Sequence, residues 1–211
     1  MKEYNKIETI YNRATDGAKK LIEGDYRNDT VKMLKDIPWI WTEKIDGTNI
    51  RIHWDGHQVS FGGRTDTAQI PVALVNYLNK TFGTMETEEL FEQKFGETEV
   101  TFYGEGYGRK IQGVGSKYRP DDVSFILFDV LIGDVWLRRD SVEDIATTFG
   151  IDIVPIVGTG SLDKAVEYIK ANPMSTIGTA PMEGIVCRPE QELYDRRGNR
   201  LIVKIKARDF D

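Results

Sequence analysis

Two short apolar runs, Ile37 to Trp41 and Ile50 to Trp54, flank the string Glu43-Lys44-Ile45-Asp46-Gly47-Thr48-Asn49, and this arrangement constrains the chain more than any other feature. The second run, Ile50-Arg51-Ile52-His53-Trp54, alternates as a half-buried strand does, and Asp46-Gly47 supplies the residues a tight turn favours. Lys44 therefore stands at a strand-turn-strand tip. A lysine held there beside an acid, with a neighbouring cation or partial burial to lower its proton affinity, can act as a nucleophile. The string alone is equally compatible with a plain β-turn.

The remaining periodicities describe mixed α/β structure. Helical spacing is expected over Val72–Phe82, over Ser141–Phe149 with Ser141 as cap and Asp144 in the first turn, and over Leu162–Ala171, ending before Pro173. Short helices or turns are expected near 8–23 and 29–35. Strands are expected at 37–43, 49–55, 58–61, 99–105, 124–131, 134–137, 152–157, 183–188 and 200–206. At 211 residues and 40% hydrophobic, the chain can bury a full core as one larger domain or two small lobes. Without a signal segment or a run of ~18 apolar residues, neither secretion nor a membrane span is expected. The lone Cys187 excludes an internal disulfide framework and reads as a small buried hydrophobe, so the placement expected is cytoplasmic, a phage-encoded protein included.

Six strings are spread along the chain: EKIDGTN (43–49), SFGGRT (60–65), FYGEGYG (102–108), FILFDV (125–130), MEGIVCR (182–188) and LIVKIKAR (201–208). In this order they resemble the blocks of the covalent nucleotidyltransferase superfamily of ATP-dependent DNA and RNA ligases and mRNA capping enzymes. The chain is most similar to the small phage and bacterial RNA ligases of the T4 RNA ligase two type. The resemblance implies an α+β fold with two antiparallel β-sheets flanked by helices, forming a nucleotide-binding groove. It also implies an ATP-dependent polynucleotide ligase that joins 3′-hydroxyl and 5′-phosphate ends through a lysyl-AMP intermediate.

In that reading Lys44 is the nucleophile. An unperturbed lysine has a pKa near ~10.4, so a metal ion and the cations Lys204 and Lys206 would disfavour the ammonium. Alternation in Lys204-Ile205-Lys206 puts both lysines on one strand face. Glu105 and Glu183 each stand beside a glycine at the end of an apolar run; the resemblance implies that Glu105 holds the ribose hydroxyls and that both, together with Asp46, position a hydrated magnesium or manganese. Glu43, Asn49, Arg64 and Phe128 match positions that bind the nucleotide, Phe128 by stacking on adenine and Glu43 through its backbone. The structural alternatives are a surface glutamate for each acid and ordinary core for Phe128.

Only five residues follow Lys206, so residues 1–211 are read as one adenylation domain with no OB-fold or other C-terminal domain. Asp46 occupies a position where some RNA ligases have histidine, which leaves RNA against DNA undecided by motif. RNA or a nicked duplex is the expected partner, with no membrane and a monomer expected. A DNA nick ligase, a GTP-dependent capping-type enzyme and a non-catalytic nucleic-acid binding module remain the alternatives.

A net charge of −6 argues against a nucleic-acid partner unless cations are concentrated locally. Arg109, Lys110, Lys117 and Arg119 are so concentrated, with no acid among residues 109–119 and with Tyr107 and Tyr118 interleaved. They are the candidate nucleic-acid contacts, against the alternative of a solvated loop. Three features carry no function: the G-x-G at Gly104 and Gly106 lacks the helix and later acid of a dinucleotide site, His53 and His57 lack metal-spaced partners, and Trp39 and Trp41 read as core packing.

Overall fold

A computed structural model describes residues 1–17 and 19–211. The first third contains β1 (Glu8–Thr9), β2 (Tyr11–Arg13), β3 (Leu21–Tyr26), α1 (Asp29–Met33), β4 (Trp39–Lys44), β5 (Thr48–Trp54) and β6 (Val59–Gly62). There follow α2 (Val72–Phe82), α3 (Met85–Phe95), β7 (Val100–Gly108), α4 (Gly115–Tyr118), β8 (Val123–Ile132), β9 (Val135–Trp136) and α5 (Arg139–Phe149). The chain finishes with β10 (Asp152–Ile153), β11 (Ile156–Gly160), α6 (Leu162–Lys170), β12 (Gly184–Pro189), β13 (Val203–Lys206) and a 3-10 turn at Ala207–Asp209. Among the described residues no helix is long and apolar enough to cross a membrane.

These elements form two compact units, one of residues 1–5 and 46–154, the other of 6–45 and 155–211. The first holds a six-stranded sheet in the order β10-β8-β7-β5-β6, with β9 paired to β8. Ile50, Ile52 and Trp54 on β5, Phe102 on β7 and Phe125 on β8 send their side chains into one core. α2 closes it with Leu74, Leu78 and Phe82 at the four-residue spacing of a helix face, α3 with Phe91, and α5 with Val142, Ile145 and Ala146.

The second unit holds a five-stranded sheet, β1-β13-β12-β4-β11, and the hairpin β2-β3. Trp39 and Trp41, Ile185 and Cys187, and Val203 and Ile205 alternate inward and pack on Leu162, Ala165, Val166 and Ile169 of α6. Burial pushes the Cys187 thiol well up, so it is the inert hydrophobe that its surroundings in the sequence suggest.

The expected α+β class with two largely antiparallel sheets is what the chain adopts, with one refinement: the short edge strands β1 and β10 run parallel to their neighbours. Four local expectations are corrected. Residues 8–23 form β1, β2 and the start of β3 rather than a helix, because Tyr11 pairs with Tyr26 and Arg13 with Leu21 across a hairpin; Ala18 lies outside the described residues. The run 152–157 is split at Val154-Pro155, and its halves join different sheets. α5 begins at Arg139 with Arg138 at its cap, so Ser141 is already inside the helix. α3 goes beyond the expected helices, since its outer face is almost wholly charged, yet Thr84 caps it by accepting from the Thr87 N–H.

Candidate functional site

Lys44 ends β4, Gly184 opens β12 and Lys206 ends β13, and the three are in register across adjacent strands. Glu183, one residue before β12, reaches into this row. Its Oε2 accepts from Lys44 Nζ at 2.6 Å and its Oε1 from Lys206 Nζ at 2.9 Å, so one carboxylate bridges two ammonium groups. The backbone is held as well, because Ala207 N–H donates to the Glu183 carbonyl at 2.9 Å. Gly184 is required here: a Cβ would lie 2.2 Å from the carbonyl oxygen of Ile205. Burial pushes the Glu183 carboxyl up, and the charges and hydrogen bonds of Lys44 and Lys206 outweigh it, leaving the group below the usual range.

Lys204 lies on the same strand face as Lys206, with Ile205 buried behind them as alternation requires. Glu43, expected near the nucleotide, has a different contact set. It is 1% exposed, and its carboxylate accepts from Ser175 Oγ, from Thr176 N–H at 2.9 Å and from Thr176 Oγ1. Its own N–H donates to Pro155 O at 2.9 Å, so that donor is already engaged within the unit. Glu43 thus fastens the segment at 175–176, which leads to Glu183. Nothing in the sequence motifs singles out Ser175 and Thr176, although the alternation of Trp39 to Lys44 already puts Glu43 on the buried face, where a carboxylate must find donors.

In the other unit, Asn49 of β5 stands directly opposite Glu105 of β7. Both lie on the face turned away from the core, since Ile50 and Ile52 occupy the other. Glu105 is in mid-strand, not at a strand end as expected: β7 continues to Gly108 because Tyr107 pairs with Ser124. The Oδ1 of Asn49 is buried without a hydrogen-bond partner, an unmet need that a bound ligand would satisfy. Gly47 packs tightly here, since a Cβ would meet Gly106 O at 2.3 Å and Glu105 Cγ at 2.9 Å. Asp46 is half-buried, and its N–H donates to Tyr118 Oη at 3.3 Å.

Arg64 is exposed, carried on a loop that Arg51 organises from below. The Arg51 guanidinium is fully buried and donates to Gly63 O at 2.7 Å, to Met1 O at 2.8 Å and to Asp66 at 2.9 Å. A charged residue alternating with Ile50 and Ile52 is the available signal for Arg51. Phe128 sits where the register between β7 and β8 slips, half-buried and edge-on to Tyr4 at 5.1 Å, and it is not part of the core that contains Phe125.

The basic loop is more structured than its composition suggests. Tyr107 and Tyr118 are buried and packed edge-to-face at 5.9 Å, so neither is a stacking platform. Arg119 forms a two-pronged ion pair with Asp122, just past the segment that lacks acids, which raises its proton affinity further. Gln112 Nε2 donates to Gly47 O at 3.0 Å, so with Tyr118 the loop braces the turn that follows the lysine. Arg109, Lys110 and Lys117 are exposed.

The RNA ligase family model matches residues 37–206, and the chain belongs to that family. No curated protein sequence is significantly similar to it. Among solved structures, the Naegleria gruberi RNA ligase with PPi is similar at a TM-score of 0.63 and 19% identity, over 86% of this chain and 52% of that one. A variant of the Naegleria enzyme with ATP and Mn gives a TM-score of 0.69 at 17% identity, over 100% of this chain and 57% of that one. An archaeal ATP-dependent RNA ligase gives 0.66 at 15% identity, over 99% of this chain and 49% of that one. At these identities the likeness is one of fold, and the chain spans about half the length of the structures it matches.

Proposed function

We propose that the chain is the catalytic core of an ATP-dependent RNA ligase that joins a 3′-hydroxyl to a 5′-phosphate. The observation that carries the reading is the Lys44–Glu183–Lys206 bridge, which gathers a nucleophile candidate, a carboxylate and a second cation on one sheet face. Lys44 Nζ attacks the α-phosphorus of ATP, giving a lysyl-AMP phosphoramidate and pyrophosphate; AMP then passes to an RNA 5′-phosphate, and a 3′-hydroxyl displaces it. Lys204 and Lys206 neutralise charge that develops on the phosphoryl oxygens.

One side chain suits the nucleotide. Asn49 offers an unsatisfied buried amide oxygen. Among the described residues no three His, Cys, Asp or Glu side chains cluster into a metal cage. Magnesium or manganese keeps several waters and needs few carboxylates. Asp46, Glu105 and Glu183 would hold it, and it would supply positive charge at the phosphates. Glu43, Arg64 and Phe128 complete the proposed nucleotide contacts, Glu43 through the segment it fastens. The protein is taken to act as a monomer, on RNA ends or on a nick in a duplex.

Incubation with α-labelled ATP or GTP tests the reading. Label from ATP that survives denaturation and is lost on removing divalent metal supports it; label from GTP alone overturns it in favour of a capping-type enzyme, and no label overturns it altogether.

A further inference from the structure

Arg51 stands on the face of β5 turned away from the core, two residues and ~7 Å along the strand from Asn49. Its side chain is 0% exposed, while its one carboxylate partner, Asp66, is 72% exposed. A charge buried against a largely solvated partner adds little net stability. The other two contacts are to backbone: Nε donates to Gly63 O at 2.7 Å and Nη1 to Met1 O at 2.8 Å. Gly63 and Asp66 bracket Arg64, so the guanidinium fixes the chain on both sides of that residue. Packing around it is tight, since a Cβ on Gly62 would lie 3.1 Å from Met1 Sδ and 3.2 Å from Arg51 Nη2.

The Met1 contact belongs to a larger arrangement. Gly62 on β6, Arg51 on β5, Tyr103 on β7 and Asp129 on β8 stand opposite one another in turn, a single row across four strands. Three of them hold the N-terminal segment in chain order: Arg51 through Met1 O, Tyr103 by donating from Oη to Lys2 O at 2.8 Å, and Asp129 by accepting from Tyr4 Oη at 2.6 Å. Residues 1–4 thus cross the sheet as a strap, with Met1 beside the Arg64 loop and the Tyr4 ring against Phe128 at 5.1 Å. The next pair on the same face of β5 and β7 is Asn49 and Glu105. Three of the nucleotide contacts proposed above, Asn49, Arg64 and Phe128, therefore share one frame, and Arg51 is the point at which the strap and the Arg64 loop are joined.

We infer that Arg51 is a positioning residue: anchored to the strap, it holds Gly63 and Asp66 so that Arg64 is set toward the nucleotide before ATP arrives. The role rests on the ligase reading and on Arg64 as a nucleotide contact. A guanidinium suits it because a planar fork of donors engages two carbonyls and a carboxylate at once, which a single ammonium does not. Without Arg51 the loop must be ordered during binding. That cost falls on ATP affinity rather than on the phosphoryl-transfer step.

The test is a double-mutant cycle on single-turnover lysyl-AMP formation, with the half-saturating ATP concentration and the maximal rate read separately. Arg51→Met, which keeps an apolar stem and loses every donor, should raise the half-saturating concentration at least about tenfold, as Arg64→Ala should, and change the maximal rate less than about threefold. The Arg51→Met, Arg64→Ala double variant should match the worse single variant to within about threefold, because both substitutions remove the same contact. Arg51→Lys, which keeps the charge and loses the fork, should resemble Arg51→Met. If Arg51→Met does not fold, Asp66→Ala, at an exposed carboxylate, should raise the half-saturating concentration about threefold, and not at all when Arg64 is alanine. Were Arg51 merely structural, its variants would unfold at lower temperature with the ATP dependence of wild type, or their effects would multiply with that of Arg64→Ala. Either result overturns the positioning role, as does wild-type ATP dependence in Arg51→Lys, in Arg64→Ala or, where it stands in for Arg51→Met, in Asp66→Ala. A wild-type chain that forms no lysyl-AMP overturns the ligase reading instead, and ATP dissociation constants from calorimetry on the same variants then decide the role of Arg51.

Discussion

Lys44 and Glu183 are joined at 2.6 Å across neighbouring strands, and the same carboxylate holds Lys206 at 2.9 Å. Paired as an ammonium, Lys44 has no lone pair to offer, so in the ligase reading proposed above this pairing is a resting state. In that reading, release of Lys44 requires Glu183 to take another partner, which would couple the arrival of substrate to the freeing of the nucleophile. The bridge keeps two like charges on one face of the sheet.

Lys44→Ala should abolish denaturation-resistant label from ATP and leave the fold intact, because the side chain lies at a strand end outside the apolar core. Lys44→Arg should be equally inactive, since a guanidinium stays protonated and cannot attack. Denaturing gels of labelled protein, with far-ultraviolet circular dichroism of the same samples, check both. Label retained in either variant would move the nucleophile elsewhere.

Glu183→Gln removes the charge between two ammonium groups and should lower both adenylylation and stability, the latter by about 1–3 kcal/mol. The pH dependence has a definite sign. Because the folded state holds this carboxyl below its ordinary value of 4.5, its contribution is complete above that pH and is lost as the solution is acidified through and below it. Thermal unfolding midpoints of wild type and variant should therefore converge on acidification from about pH 6 to about pH 3. A gap that stays constant, or widens, contradicts the assignment.

The strands that carry the chemistry are legible in the sequence because each obeys a period of two: Trp39 and Trp41 inward, Lys204 and Lys206 on one face, Ile50 and Ile52 against the core. Long-range pairing is not. Nothing local shows that Glu43 meets Ser175 and Thr176 or that Gln112 braces Gly47. The N-terminal hairpin departs from expectation for a related reason, since its apolar residues are too few to impose a period and its pairing is settled by Tyr11 meeting Tyr26. α3 carries its helix signals in a Thr84 cap, first-turn acids and a last-turn lysine rather than in hydrophobicity.

Glu43→Ala should act at a distance from the phosphates. Three donors from Ser175 and Thr176 lose their acceptor in a buried setting, at a cost of about 1–3 kcal/mol for each group left unpaired. Since the freed segment leads to Glu183, adenylylation should fall as well, with Glu43→Gln restoring part of both. Urea unfolding and the rate of lysyl-AMP formation are the measurements. A variant with wild-type stability would show that the buried carboxylate is not holding the segment.

The basic loop separates into cations that are available to nucleic acid and one that is not. Arg109 and Lys110 are exposed, whereas Arg119 is locked to Asp122 and hydrogen-bonded to Tyr107. Replacing Arg109 and Lys110 with alanine should leave lysyl-AMP formation unchanged and weaken RNA binding. It should also flatten the slope of log affinity against log salt by roughly 0.7–0.9 for each phosphate that is no longer neutralised. Arg119→Ala should behave differently, loosening the turn at Asp122 and the packing of Tyr118 beneath Asp46, with a smaller change in salt slope than in adenylylation. Filter binding of an RNA oligonucleotide at several salt concentrations distinguishes the two classes. Equal salt slopes in wild type and the Arg109, Lys110 double variant would show that these side chains only solvate the loop, and the RNA contact would then lie on the exposed loop of Arg64.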